Sequence, residues 1–127
     1  MRSRFERVAV VACAGAVLAA AAPSALRAIE PGQWQVSRSA TGQNPVGICL
    51  RDMVALAQFE HRGQACTRVI LSDKPGELVV HYTCPAGDFG RTEMTVITPR
   101  SLRLQTQGIH NGSPFFYQLH ARRVGDC

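Results

Sequence analysis

The chain has 127 residues, with 14 Lys and Arg against 9 Asp and Glu, a formal net charge of +5, and 46% hydrophobic residues. That length holds one domain of ordinary size and leaves no room for a second. From Ala25 onward eleven basic residues face eight acidic ones, a net of +3, too small and too dispersed to argue for a nucleic-acid partner, which calls for a clustered basic face.

Arg2, Arg4 and Arg7 precede an almost purely apolar run from Val8 to Ala22, and Ala19-Ala20-Ala21 and Ala22-Pro23-Ser24 offer small-residue cleavage sites. This order predicts a cleaved export signal over residues 1–24 and a single disulfide-stapled, β-rich domain over residues 25–127. A membrane anchor is the competing reading. The run is shorter than the roughly 20 residues a span needs, is mostly alanine and lacks a basic stop-transfer cluster, so no transmembrane anchor is expected after cleavage. Val10-Val11-Ala12-Cys13 also fits a loose lipoprotein box, but the apolar core left before it is shorter than the usual minimum of about seven residues.

Within the mature chain, Trp34, Val36 and Arg38 alternate with Gln33, Gln35 and Ser37, the period of a first strand. Thr41 to Gly47 is turn-rich and breaks it. Leu50, Met53, Val54 and Ala57 then fall at i, i+3, i+4 and i+7, which predicts a helix over Leu50 to Phe59 with Gly63 as its stop. From Cys66 the pattern changes to strands and turns: CTRVILS, ELVVHYTC, GRTEMTVIT, SLRLQTQGI and SPFFYQLHARR. Asp73-Lys74-Pro75-Gly76 separates the first two, and Asn111-Gly112 separates the last two with the strongest short hairpin signal. A two-residue Asn-Gly loop sets Leu104 opposite Leu119 and Leu102 opposite Ala121. Matching Met94 with Leu104 and Val96 with Leu102 needs a three-residue loop, Thr98-Pro99-Arg100. The expected fold class is mainly β (α+β): an antiparallel meander sheet of about six strands, one packed helix and two disulfides.

Without Cys13, four cysteines remain, an even number that reads as a disulfide framework in an oxidising compartment. Cys66 opens one strand and Cys84 closes the next, so a tight hairpin sets them side by side. In the meander Cys127 emerges at the opposite end, where the start of the helix places Cys49. Cys66 with Cys84 and Cys49 with Cys127 is therefore favoured. Cys49 with Cys66 and Cys84 with Cys127 is the rival, and it holds if the loop from His61 to Ala65 doubles back. Breaking a Cys49–Cys127 bridge is expected to loosen the C-terminal strand first.

No catalytic constellation stands out. His61, His81, His110 and His120 lack H-E-x-x-H or comparable ligand spacing, the cysteines lack a C-x-x-C pair, and neither a G-x-S-x-G elbow nor a Gly-rich phosphate loop is present. Asp88 and Glu93 have no second carboxylate at a spacing that would support acid–base work, and Gly87 to Gly90 reads as a turn. No enzyme activity, cofactor or metal is expected. Arg68, Arg91, Arg103 and Arg122 fall opposite the apolar residues of their strands, among Gln105, Gln107, Gln118 and His120. This is either a solvated face or a weakly cationic binding surface, on which guanidinium groups pair with phosphate or acidic glycan and Phe116 supplies an aromatic anchor.

The Pro31-Gly32-Gln33-Trp34 start, the order of Cys49, Cys66 and Cys84, and the ending Arg122-Arg123-Val124-Gly125-Asp126-Cys127 resemble the exported bacterial family catalogued as domain of unknown function 3617. The likeness covers essentially the whole mature chain. It implies a periplasmic or envelope location in a Gram-negative cell, and no known activity, substrate or catalytic residue comes with it. The expectation is a small noncatalytic periplasmic or secreted protein binding an anionic envelope component, lipid or glycan. The alternative is an accessory or inhibitor-like module acting on a partner protein.

Overall fold

The computed structural model describes residues 15–16 and 22–127; most of the expected export signal, Cys13 included, lies outside the described residues. Seven strands are found among them: β1 Gly32–Ser37, β2 Val46–Leu50, β3 Thr67–Lys74, β4 Glu77–Thr83, β5 Phe89–Thr98, β6 Ser101–His110 and β7 Ser113–Gly125. They form one antiparallel sheet in the order β2-β1-β7-β6-β5-β4-β3. The mainly β class is the one the sequence predicts, with seven strands in place of about six. Strands β3 to β7 make the meander. β1 does not lead it but pairs with β7, and β2 folds back on β1 as an edge.

The added strand corrects the reading of Leu50. The turn-rich stretch does turn the chain, with Gly42 at φ 78° and Asn44 at φ 47°. It ends at Pro45, and Ile48 then lies opposite Trp34 and Leu50 opposite Gly32. β-Branched Val46 and Ile48 suit that pleated state. The helix expected over Leu50 to Phe59 is instead a 3-10 segment, Met53–His61, broken at Gln58 (φ −103°, ψ 35°). Asp52 caps it, its carboxylate accepting from the Val54 N–H at 3.0 Å. Buried Met53, Leu56 and Phe59 recur at every third position, the 3-10 period. Thr92 Oγ1 lies 2.5 Å from the Ala57 carbonyl and 2.8 Å from Thr106 Oγ1. A hydroxyl donates once, so Thr92 gives its proton to Ala57 and Thr106 supplies the other. Two buried threonines thus dock the segment on the middle of the sheet.

The hairpin registers follow the hydrophobic pattern. Leu104 faces Leu119, Leu102 faces Ala121, Met94 faces Leu104 and Val96 faces Leu102. The β5–β6 connection reaches this register by another route: Thr98 pairs with Ser101 across a two-residue turn, and the extra residue is taken up as a bulge at Ile97. Asn111 (φ 51°) and Gly112 (φ 77°) form the left-handed pair of a type I′ turn.

The inner face carries Trp34, Val36, Leu78, Val80, Met94, Leu104 and Leu119 into one core with Leu56, Phe59, Leu26 and Ile29. Leu26 arrives on a single 3-10 turn, Ser24–Leu26, whose Ser24 and Ala25 N–H groups each donate to the Asp73 carboxylate at 2.8 Å. A cavity of about 360 Å³ is lined by Ile48 and Leu50 from one sheet edge and by Arg68 from the other. The sheet therefore curls around the 3-10 segment. Among the described residues no helix is long and apolar enough to cross a membrane.

Cys66 and Cys84 form a bridge beside the Thr67–Thr83 pair at the open end of the β3–β4 hairpin, with Cα atoms 4.1 Å apart. Cys49 and Cys127 form the other, with Cα atoms 5.5 Å apart. The second pair forms because β1 lies between β2 and β7. Gln33 is opposite Cys49 on one side and Gly125 on the other, so the chain end reaches across a single strand.

Candidate functional site

The outer face of the sheet collects most of the expected binding surface. Arg103 lies opposite His120, and Arg122 opposite both Ser101 and Gln35. Arg103 and Arg122 are thus diagonal neighbours on adjacent strands, a separation within reach of long side chains. With His120, Ile97 and the loop from Ala40 to Pro45 they line a groove of about 410 Å³ that contains no carboxylate. Among the described residues, neither Arg103 nor Arg122 makes a salt bridge. Arg91 shares this face but donates to Glu93 at 2.8 Å, so its charge is compensated.

Arg68 does not belong there. It lies opposite Tyr82, whose ring is buried on the inner face, and its guanidinium approaches Asp52 at 3.5 Å. The alternation of β3 is ambiguous because Arg68 and Ile70 share one side while Val69 takes the other, and both sides of this edge strand are exposed. Phe116 is on the outer face and 62% exposed. It stands at the far end of the sheet in a separate groove of about 450 Å³ with Phe89, Ile109, Pro114, His81 and Arg91.

The opposite, inner side of that same sheet end holds a polar cluster that spacing alone did not reveal. His61, from the end of the 3-10 segment, is 1% exposed, with Nδ1 2.9 Å from the Tyr82 hydroxyl and Nε2 3.3 Å from Asp88 Oδ2. Despite that approach Nε2 makes no hydrogen bond among the described residues. His110, the last residue of β6, stacks at an angle on His61 with ring centroids 4.6 Å apart. Its Nδ1 donates to Glu60 Oε1 at 2.9 Å, and the Tyr117 hydroxyl donates to Glu60 Oε2 at 2.5 Å. The Arg38 guanidinium lies 3.9 Å from the centre of the Tyr117 ring.

The backbone shapes this cluster. Asp88 sits in the β4–β5 turn, where the Cys84 N–H donates to its carbonyl at 2.8 Å. Both its carboxylate oxygens accept from the Asn111 N–H at 3.2 Å. Gly90 leaves room for the Tyr82 ring, because a Cβ there would fall 2.4 Å from the hydroxyl oxygen. Burial chiefly, with the Glu60 and Asp88 charges adding to it, pushes the Tyr82 hydroxyl well above the ordinary tyrosine value. Burial and the Glu60 hydrogen bond do the same for Tyr117, so both phenols stay protonated. For Glu60 burial acts upward, but the hydrogen bonds from His110 and Tyr117 outweigh it and hold the carboxyl below 4.5.

A carboxyl depressed on folding contributes stability above its unfolded pKa and loses it as pH falls through the folded one. Glu60→Gln is therefore expected to flatten the acid limb of the stability profile below about pH 5. Urea midpoints measured between pH 3 and pH 7 check this; an unchanged slope would show that Glu60 does not carry it.

No curated protein and no solved structure matches the chain. A family model described as "Protein of unknown function (DUF3617)" matches residues 29–127, from the buried Ile29 to Cys127. It spans all seven strands and both disulfides, and the chain therefore belongs to this family.

Proposed function

We propose that the protein is a noncatalytic binding module of the periplasm or cell envelope, and that the outer-face groove between Arg103 and Arg122 takes the phosphate headgroup of an anionic lipid. One observation carries the reading. Two arginines and His120 converge on a concave surface without a carboxylate among its lining residues. Like charges held together on a rigid sheet repel each other, and an anion bound between them relieves that cost while accepting bidentate hydrogen bonds. Ile97, 57% exposed at the groove rim, favours an amphiphile over a glycan. Two disulfides suit an oxidising compartment, as does the basic-then-apolar N-terminus.

Each basic side chain near an anionic membrane contributes about 1 kcal/mol. Arg103→Gln with Arg122→Gln is therefore expected to weaken sedimentation with phosphatidylglycerol vesicles roughly thirtyfold, and added salt to weaken the unmodified protein. Arg68→Gln, on the other face, is the control and leaves binding unchanged. Equal binding to neutral vesicles, or no loss in the double variant, rejects the lipid reading; capture by an acidic oligosaccharide alone reassigns the groove to a glycan.

A specific observation also supports a protein partner. Edge strand β3 exposes Val69, Ile70 and Leu71 beside backbone groups that no neighbouring strand pairs among the described residues. A strand from another protein could add there.

A further inference from the structure

We propose that His61, His110 and Asp88 form a binding site for a divalent transition-metal ion of the zinc class, with one coordination position left open. Candidate ligand atoms of the three residues all lie within 4.8 Å of one another. One pair, His61 Nε2 and Asp88 Oδ2, is 3.3 Å apart. Two ligands bound to zinc at about 2.0–2.1 Å in a tetrahedron sit roughly 3.3 Å from each other. The pair already has the spacing of one edge of such a site.

The decisive feature is the unpartnered Nε2. The His61 side chain is fully buried, and a ring nitrogen aimed at a carboxylate without a hydrogen bond is costly in that setting. An ion between nitrogen and oxygen satisfies both.

The supporting contacts have the form metal-binding histidines need. Ligating histidines use their second ring nitrogen to donate to a carboxylate or another oxygen, which fixes the tautomer and frees the first. His110 Nδ1 donates to Glu60, which the Tyr117 hydroxyl holds in turn. His61 Nδ1 faces the Tyr82 oxygen at 2.9 Å and donates to it when Nε2 is loaded. Asp88 is positioned by the Asn111 N–H, so Asp88 and His110 rest on the turn and hairpin backbone at one end of the sheet, and His61 meets them from the end of the 3-10 segment. The His110 side chain is one-third exposed and provides the way in. Two imidazoles and one carboxylate favour zinc, copper or nickel over calcium and magnesium, which take oxygen ligands. Three protein ligands with a fourth position open to water match reactive zinc sites more closely than closed structural ones.

Isothermal titration with zinc tests the assignment on protein purified without reductant, so that all four domain cysteines are bridged and cannot compete for the ion. Binding of one zinc per chain is expected, with no response to magnesium. His110→Ala keeps the buried His61 in place and is expected to weaken zinc at least tenfold. Asp88→Asn retains an oxygen for the Asn111 N–H and is expected to do the same. His81→Ala and His120→Ala, on the outer face, are expected to leave affinity unchanged, and urea midpoints of all four variants confirm that each is folded. No binding at millimolar zinc overturns the proposal. Affinity that survives in folded His110→Ala, or falls with the outer histidines, also overturns it.

Discussion

Cys127→Ser is expected to remove about 4.5 kcal/mol of stability, the chain-entropy value for a bridge that links residues 78 apart in sequence. Cys66→Ser opens a bridge of separation 18 and is expected to cost about 3 kcal/mol on the same model. The location of the damage separates the two more sharply than its size. β7 is flanked by β1 and β6, so losing the bridge does not free it. Among the described residues β2 pairs with β1 alone, and Cys49 is its penultimate residue. Hydrogen exchange in Cys127→Ser should therefore accelerate first in Val46–Leu50, reversing the expectation that the C-terminal strand loosens. Cys49 should then react with a thiol reagent in the folded state. An unchanged urea midpoint, or exchange that rises first in β7, would refute this account.

The reason for that reversal also marks how far the sequence could be read. Alternation and turn chemistry are local, and they placed β3 to β7 and the registers of the last two hairpins, with Leu104 against Leu119 and Met94 against Leu104. They carry no information about which strand closes the far edge. β1 was recognisable as a strand from the alternation of Gln33 to Arg38, but its pairing with β7 is a long-range choice made by the core and by the Cys49–Cys127 bridge. The short β2 was hidden because Leu50 fits both a strand end and a helical stripe. The segment after it is 3-10 because apolar residues at positions 53, 56 and 59 meet the sheet at a period of three.

The candidate sites divide in the same way. Arg103, Arg122 and Phe116 were legible because period two assigns a side once the apolar partners are known. Arg68 was misplaced because neither side of β3 is uniformly apolar. His61, Asp88 and His110 are separated by 27 and 22 residues, beyond any local motif. A signal was present nonetheless: in a meander, the end of β4, the start of β5 and the end of β6 share one end of the sheet, which brings Tyr82, Asp88 and His110 together. Only His61 needed the path of the 3-10 segment.

Trp34→Ala is expected to cost about 3–5 kcal/mol, the range for emptying a large aromatic site in a close-packed core. Trp34 is fully buried in the core, opposite Ile48 on the neighbouring strand, and its indole N–H donates to the Glu30 carbonyl at 3.1 Å. Alanine leaves a cavity where β1 joins β2 and β7, and it leaves that carbonyl without its donor. Trp34→Phe keeps most of the volume and loses the hydrogen bond, so a smaller cost of about 1–2 kcal/mol separates the polar contribution from the cavity. The chain has one tryptophan, so far-UV circular dichroism must follow the unfolding in place of indole fluorescence. Trp34 lines neither the Arg103–Arg122 groove nor the His61–Asp88–His110 cluster. Folded Trp34→Phe should therefore keep both vesicle and zinc affinity, which makes the G-x-W start a feature of architecture and not of ligand recognition. A loss below about 1 kcal/mol in Trp34→Ala would contradict its place at the centre of the core, and loss of ligand binding in folded Trp34→Phe would contradict its architectural role.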